Sequence, residues 1–357
     1  MSQSTSSARA NGPGRPRLGL NALARPQVRR GIAVIACALF VGLAFVASYV
    51  DGLHQPKFHK VPIAVAGPAG LAHQLSSGSA LSATVVRSPD AAVRRIQDRQ
   101  DFGAVSVTPT DITVYTAQAA GASLASALAR TLPPTLHAAT GGRIPIRVTD
   151  VKPLPNSDPT GLTPFYLMVS LVVSNYIGAI LFALAFGTKL RRETLLPRML
   201  VAVSLAFVFA LGEIGITTAI GPLTGHFVTL VLAAFLLGIT VSTVTMCLQS
   251  LFGVVGTVTA IVIFVVFGNP ASGGALPFPM VPGLWRWPGP YTPSGAGDTL
   301  IRNIAYFGGH GTGAAVIVEL VWLVAALALA LVSTQLRPIG LRMKSDYDRM
   351  SASLRTV

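Results

Sequence analysis

Gly31 to Val50 reads GIAVIACALFVGLAFVASYV, twenty residues without a single charge. A helix rises about 1.5 Å per residue, so about 20 mostly apolar residues are needed to cross the hydrocarbon core of a bilayer. The run is longer than the apolar core of a secretory signal, and no convincing A-x-A cleavage site follows it. It is therefore read as an uncleaved anchor rather than a removed leader.

Working outward, the next long apolar stretch begins only near Pro164. From there the sequence predicts spans over about 164–186, 199–221, 226–248, 251–269 and 314–336. The fourth and fifth spans are separated by little more than Gln249 and Ser250, so that boundary is the least sharply marked. The composition agrees with this reading. Of 357 residues 51% are hydrophobic and 11% charged, against roughly a quarter charged in soluble domains, and the mean hydropathy is +0.61.

The net charge of +14 raises nucleic acid as a partner, but its placement argues against that reading. Fifteen of the 27 Lys and Arg lie in three segments flanking apolar stretches. The first holds Arg9, Arg15, Arg17, Arg25, Arg29 and Arg30; the second Lys189, Arg191, Arg192 and Arg198; the third Arg337, Arg342, Lys344, Arg349 and Arg355. The loop between the third and fourth spans has no Lys or Arg. The positive-inside rule puts both termini in the cytoplasm, which demands an even number of spans.

The expected organisation follows. Residues 1–30 are a disordered basic cytoplasmic segment and 31–50 the first transmembrane helix. Residues 51–163 are an extracytoplasmic α/β domain, 164–336 a five-helix transmembrane domain with an external loop at 270–313, and 337–357 a basic cytoplasmic tail. The fold class is an α-helical membrane protein of six transmembrane helices, with the α/β domain inserted between the first and second. It is expected in the cell membrane with the lipid bilayer as its first partner.

Within 51–163, strands are predicted at 61–67, 83–86, 102–107, 112–116 and 144–151, alternating with helices near 67–75, 91–100 and 121–139. That alternation points to an α/β layer with a mixed sheet. No catalytic constellation appears. His54, His59, His73 and His137 lack metal-ligand spacing, and Cys37 and Cys247 are too few for a disulfide framework or a CxxC site. Asp90, Asp98 and Asp101 read as helix-cap and solvent-face acids, and there is no G-x-S-x-G elbow. The chain is expected not to be an enzyme and to need no cofactor or metal.

Several stretches carry a resemblance. VPIAVAG at 61–67, SPDAAVRRIQDRQDFGAVSV at 88–107, DITVYTAQAAG at 111–121 and the junction PLPNSDPTGLTPFY at 153–166 sit in a layout of one span, a domain, then five spans. This resembles the permease subunits of ABC-2-type exporters, closest to their YhgE/Pip-like and DUF3533-like relatives, over about 50–340. The resemblance implies export of a hydrophobic or amphipathic compound by a homodimer or heterodimer. It also implies that the Pro/Gly-rich loop 270–313 closes the pathway on the outside. No G-x-x-x-x-G-K-[ST] occurs, so a separate ATP-binding subunit is implied. A YhgE/Pip-like protein need not have one.

Glu213 and Glu319 are the charged residues placed within spans, where a carboxyl usually faces the bundle interior or a water-filled cavity. Glu213, in L-G-E-I-G near mid-span, is the candidate for a substrate or proton path; an interhelical hydrogen bond is the structural alternative. Glu319 lies nearer the end of its span and is expected at the interface. Asn175 is a polar span residue assigned to the same path, with structural hydrogen bonding as its default role. In the external loop, Trp285, Trp287 and Tyr291 are candidates for a gate or an aromatic interface belt. Arg286 between the two Trp reads as a headgroup contact, and 298–307 as a short amphipathic helix. Three functions compete: an exporter permease with an ATPase, an ion-coupled transporter working through Glu213, and a membrane-anchored binding protein whose external domain recognises an envelope component or partner.

Overall fold

The structure, a computed structural model, describes residues 26–223 and 225–353, with side chains as far as Gln335. The expectations for the basic segment 1–25 and for the charged side chains of the tail lie outside the described residues. Helix α1 (Pro26–Leu53) runs through the division of the chain into two units between Leu43 and Ala44. Its apolar residues, Ile32, Val34, Ile35, Leu39, Phe40 and Leu43 among them, stand exposed. No aqueous surface tolerates such a stripe, but a bilayer does.

Residues 61–150 form a five-stranded sheet of β1 (Val61–Ala66), β2 (Leu81–Val85), β3 (Gly103–Val107), β4 (Ile112–Thr116) and β5 (Ile146–Asp150), in the order β2-β1-β3-β4-β5. Only the β3–β4 pairing is antiparallel, with Val105 opposite Val114, because a short turn at 108–111 joins them. There the Thr108 hydroxyl donates to the Asp111 carbonyl at 2.9 Å. The other strands are joined by α2 (Ala69–Ser76), α3 (Pro89–Gln97) and α4 (Ala122–Thr140). Helix α3 starts where the sequence signals it. The Ser88 hydroxyl accepts from the Ala91 amide at 3.2 Å with Pro89 at the first helical position, the ordinary cap arrangement. Leu124, Leu128, Leu132 and Leu136 form the buried stripe of α4 against Ile63, Val65, Val105 and Val114.

The remaining helices are α5 (Thr163–Phe186), α6 (Arg192–Ile220), α7 (Phe227–Phe252), α8 (Val254–Ile261), α9 (Gly283–Arg286), α10 (Pro293–Phe307) and α11 (Gly313–Ser353). Among the described residues, five helices are long and apolar enough to cross a membrane: α1, α5, α6, α7 and residues 313–335 of α11. The fold is that of a helical membrane protein carrying a small mixed sheet. The expected span at 251–269 is shorter: an apolar helix of 254–267, its second half wound as a π-helix (Val262–Phe267). Fourteen residues reach only about 21 Å at 1.5 Å per residue. The helical path then continues through Gly268 and Asn269 into a 3-10 turn at Pro270–Ser272.

Helix α7 is the hub. Two thirds of its apolar window is buried, against 22–39% for α5, α6 and α11, and it packs against α5, α6, α10 and α11. Outward faces of the others carry Leu184, Ile216, Ile220 and Val324 exposed. At the end of the bundle away from the sheet, Ser250 on α7 accepts from the Leu190 amide at 3.2 Å. Arg198, counted above among the topology signals, is buried there. Its guanidinium donates to the Phe186 and Gly187 carbonyls at 2.8 and 3.0 Å, satisfying groups left open at the C-terminus of α5.

Candidate functional site

Two polar constellations stand out, one inside the helices and one where the sheet domain meets residues 270–311. Inside, α5 presents consecutive polar residues to different partners. Ser174 donates to Glu213 Oε1 on α6 at 2.8 Å. Asn175, fully buried, donates from Nδ2 to the Leu171 carbonyl at 2.9 Å and accepts at Oδ1 from Ser242 on α7 at 3.2 Å. Gly238 makes the latter contact possible, since a Cβ there would lie 2.8 Å from Asn175 Nδ2. Glu213 and Asn175 are thus one residue apart in their α5 attachments yet face different seams. Glu213 keeps Oε2 buried without a partner.

Glu319 departs from expectation. It is fully buried at the α7–α11 contact instead of lying at an interface, and neither carboxylate oxygen has a hydrogen-bond partner. Thr240 on α7 lies beside it, donating to its backbone carbonyl at 3.5 Å. The reason is packing: α11 turns this face onto the hub helix from its second turn onward.

The segment 270–307 is folded, not a flexible loop. It runs through 3-10 turns at 278–280 and 289–291 and through α9 into α10, which packs against α5, α7 and α11. The amphipathic helix expected at 298–307 is this largely buried α10, beginning at Pro293 with the Thr292 hydroxyl accepting from the Gly295 amide at 3.0 Å. Of the three aromatic candidates, Trp285 is buried at 6% exposure. It donates from Nε1 to Asp51 at 2.8 Å and packs at a tilt against the Phe267 ring. Trp287 and Tyr291 are exposed at 73% and 69%. Arg286 lies over the Trp287 ring. Asn269 donates to the Tyr49 hydroxyl at 2.7 Å, a second tie to the end of α1.

The residues that sequence reasoning passed over are on α10. Asp298, Arg302 and Tyr306 recur every fourth residue and so share one helix face; that spacing was the available signal. Arg302, 4% exposed, donates to Asp298 Oδ2 at 3.3 Å, to the Gly161 carbonyl at 2.9 Å and to the Gly274 carbonyl at 3.1 Å. Tyr306 donates to Asp158, which also accepts from the Thr163 amide at the start of α5. Asn303 accepts from Arg99 Nε at 2.8 Å. Arg99 sits over the Phe307 and Phe102 rings, on a backbone of φ +64° that side-chain-bearing residues seldom adopt.

Burial, with the neighbouring Arg302 charge, lowers the Arg99 guanidinium to about 10, while Asp298 pulls the other way. Burial pushes the Asp298 carboxyl up against the pull of Arg302, and it pushes the Tyr306 phenol up further with the help of Asp158. Close approach completes the junction. A Cβ on Gly121 would stand 2.3 Å from Pro277 Cγ. Chemically this is a docking network of paired charges, with no nucleophile–base pair in it. Among the described residues no cluster of His, Cys, Asp or Glu could hold a metal ion.

The fold and these constellations define a class, a helical membrane protein with an α/β layer docked on a folded inter-helix segment. No protein-family model, curated protein or solved structure matches the chain.

Proposed function

We propose that the chain is the permease subunit of an ABC-2-type exporter that moves a hydrophobic or amphipathic compound across the cell membrane. In this reading it has six passes, both termini in the cytoplasm and the 51–163 domain outside. The observation that carries the proposal is the folded segment 270–307. It lies against α5, α7 and α11 and is tied to the domain through Arg302–Gly161, Tyr306–Asp158 and Arg99–Asn303. Such an element can close a pathway at one end of a helix bundle.

The same contacts support six passes. They tie residues 270–311 to the end of α1 and the start of α5, and in this reading the helical path 254–272 is a further crossing. The positive-inside distribution agrees with an even number. A permease of this kind works as a dimer with a separate ATP-binding subunit. Affinity purification of the full chain in mild detergent should recover that subunit; repeated recovery of the chain alone overturns the proposal.

One observation favours a second reading. Glu213 and Glu319 carry buried carboxylate oxygens among the helices, and carboxyls inside a membrane often mark proton relays. An ion-coupled transporter, or a non-transporting protein whose domain binds an envelope component, is then the alternative.

A further inference from the structure

A cavity of about 430 Å³ opens beside the outer end of α1, lined by Pro56, Phe58, Ser123, Ser126, Arg130 and Met280 among others. Its volume falls in the range of about 300–1,000 Å³ that holds small ligands. Its walls are held in place. The Lys57 and His59 amides donate to the Met280 and Pro279 carbonyls at 3.2 and 2.9 Å, and the Ser123 hydroxyl meets Met280 Sδ at 3.8 Å.

The lining divides by chemistry. Pro56, Phe58 and Met280 are apolar, while Ser123, Ser126 and Arg130 converge from successive turns of α4. Arg130 has no acidic partner among the described residues. Beside the lining residue Phe58, burial, followed by the charges of Arg286 and Lys57, holds the His59 imidazole below its ordinary value, so two further cations stand near this end of the cavity. The nearby acid Asp51 is engaged by Trp285. The apolar wall begins three residues beyond Leu53, the last residue of a helix long and apolar enough to cross a membrane, which in the membrane reading puts the cavity mouth near the bilayer surface. Exposed Trp287 and Tyr291 suit the same level.

We propose that this cavity binds an anionic amphiphile, its charged head on Arg130 and the α4 hydroxyls and its first carbons against Phe58 and Met280. A guanidinium and hydroxyls on one helix face recognise a phosphate or carboxylate head, and an apolar wall beside them selects for an attached chain. The site deepens the permease reading by naming the charge class of the compound, and rests on that reading only for the compound's transport. Binding is read without transport, so a missing ATP-binding partner and an empty cavity give separate results.

Native mass spectrometry of the full chain from neutral detergent, with dodecyl phosphate as the probe, tests it. One saturable adduct is expected. Arg130→Gln and Ser126→Trp should each weaken it about tenfold, the loss of one charge-assisted contact or of the space. Arg130→Lys should restore it, and Arg94→Gln, on the solvent face of α3, should leave it unchanged. Phosphatidylglycerol that competes identifies a bilayer lipid as the source of the head, and phosphatidylglycerol that does not compete identifies a free single-chain amphiphile. Dodecanol binding as tightly as dodecyl phosphate, or Arg130→Gln binding as tightly as the wild type, overturns the proposal.

Discussion

Arg302 and Asp298, one turn apart on α10, pair at 3.3 Å with both side chains almost fully buried. Removing one member of a buried pair leaves the other charge uncompensated and costs about 3–5 kcal/mol, whereas replacing both by apolar groups is often close to neutral. Arg302→Met additionally strands the Gly161 and Gly274 carbonyls. Thermal melts in detergent should show Arg302→Met strongly destabilised and Arg302→Met/Asp298→Leu substantially recovered. Equal melting of the single variant and the wild type would remove the pair from the docking network.

The same carboxyl sets a pH dependence. Burial raises the folded-state pKa of Asp298 above its ordinary 3.8, so the folded chain holds this proton more tightly than the unfolded chain. The resulting stabilisation is present below 3.8 and is lost as pH rises through the folded value. Asp298→Asn removes the titration. Melting temperatures measured across the acid range should therefore flatten in Asp298→Asn relative to the wild type.

Tyr306 gives the alkaline counterpart. Its phenol is raised above the ordinary 10.0 by burial and by Asp158. It should stay protonated at pH values where exposed tyrosines ionise, and its contribution to stability is lost as pH rises through that higher value. Spectrophotometric titration of tyrosinate absorbance in the folded chain should be almost the same for the wild type and Tyr306→Phe near pH 10. A clear loss of amplitude there in the variant would contradict the assignment.

Glu213 separates the two transport readings. Gln can accept the Ser174 hydrogen bond but carries no titratable proton. Under the ATP-driven proposal Glu213→Gln folds and exports normally, while Glu213→Leu loses about 1 kcal/mol of interhelical bonding. Efflux from reconstituted vesicles under an imposed pH gradient is the measurement. Abolition of gradient-dependent efflux by Glu213→Gln would install the ion-coupled reading instead.

Gly238 tests the α5–α7 seam. With no Cβ there, Asn175 approaches the α7 backbone. Gly238→Val introduces overlap in a packed core and should cost about 1–3 kcal/mol. Asn175→Ala at that contact should cost less, about 0.6 kcal/mol, as interhelical hydrogen bonds in membranes do. Comparing the two melts, with Gly238→Val/Asn175→Ala as the relieved double variant, checks whether the overlap is with this side chain.

Most elements were legible because their signals are local. Ser88-Pro89 starts α3, and the leucines four apart at 124, 128, 132 and 136 mark α4. Long uncharged runs mark α5 and α7, and a long apolar run broken by Glu213 marks α6. The site was less legible. Glu213 and Asn175 were singled out as polar residues in apolar surroundings, but nothing in their order shows that one faces α6 and the other α7. Trp285 and Trp287, two residues apart, look alike in sequence, yet one is sealed against Asp51 while the other is exposed. Arg302 and Asp298 carried an i, i+4 signal that is common on exposed helices, where it marks a solvated pair.

The amino-acid sequence by itself determined that much of this chain belongs in a bilayer, since apolar length and the absence of charge are properties of contiguous residues. It determined the alternation of the 51–163 domain for the same reason: caps, turns and hydrophobic periods act over a few residues. Tertiary structure alone decided that 270–307 folds into the helix bundle. It also decided that 251–269 yields only a short apolar helix followed by a 3-10 turn, and that Glu319 is buried on α7. These depend on partners far apart in the chain, in places more than two hundred residues, as Arg99 is from Asn303. Burial of a charge is settled by which distant groups surround it, and no local window contains them.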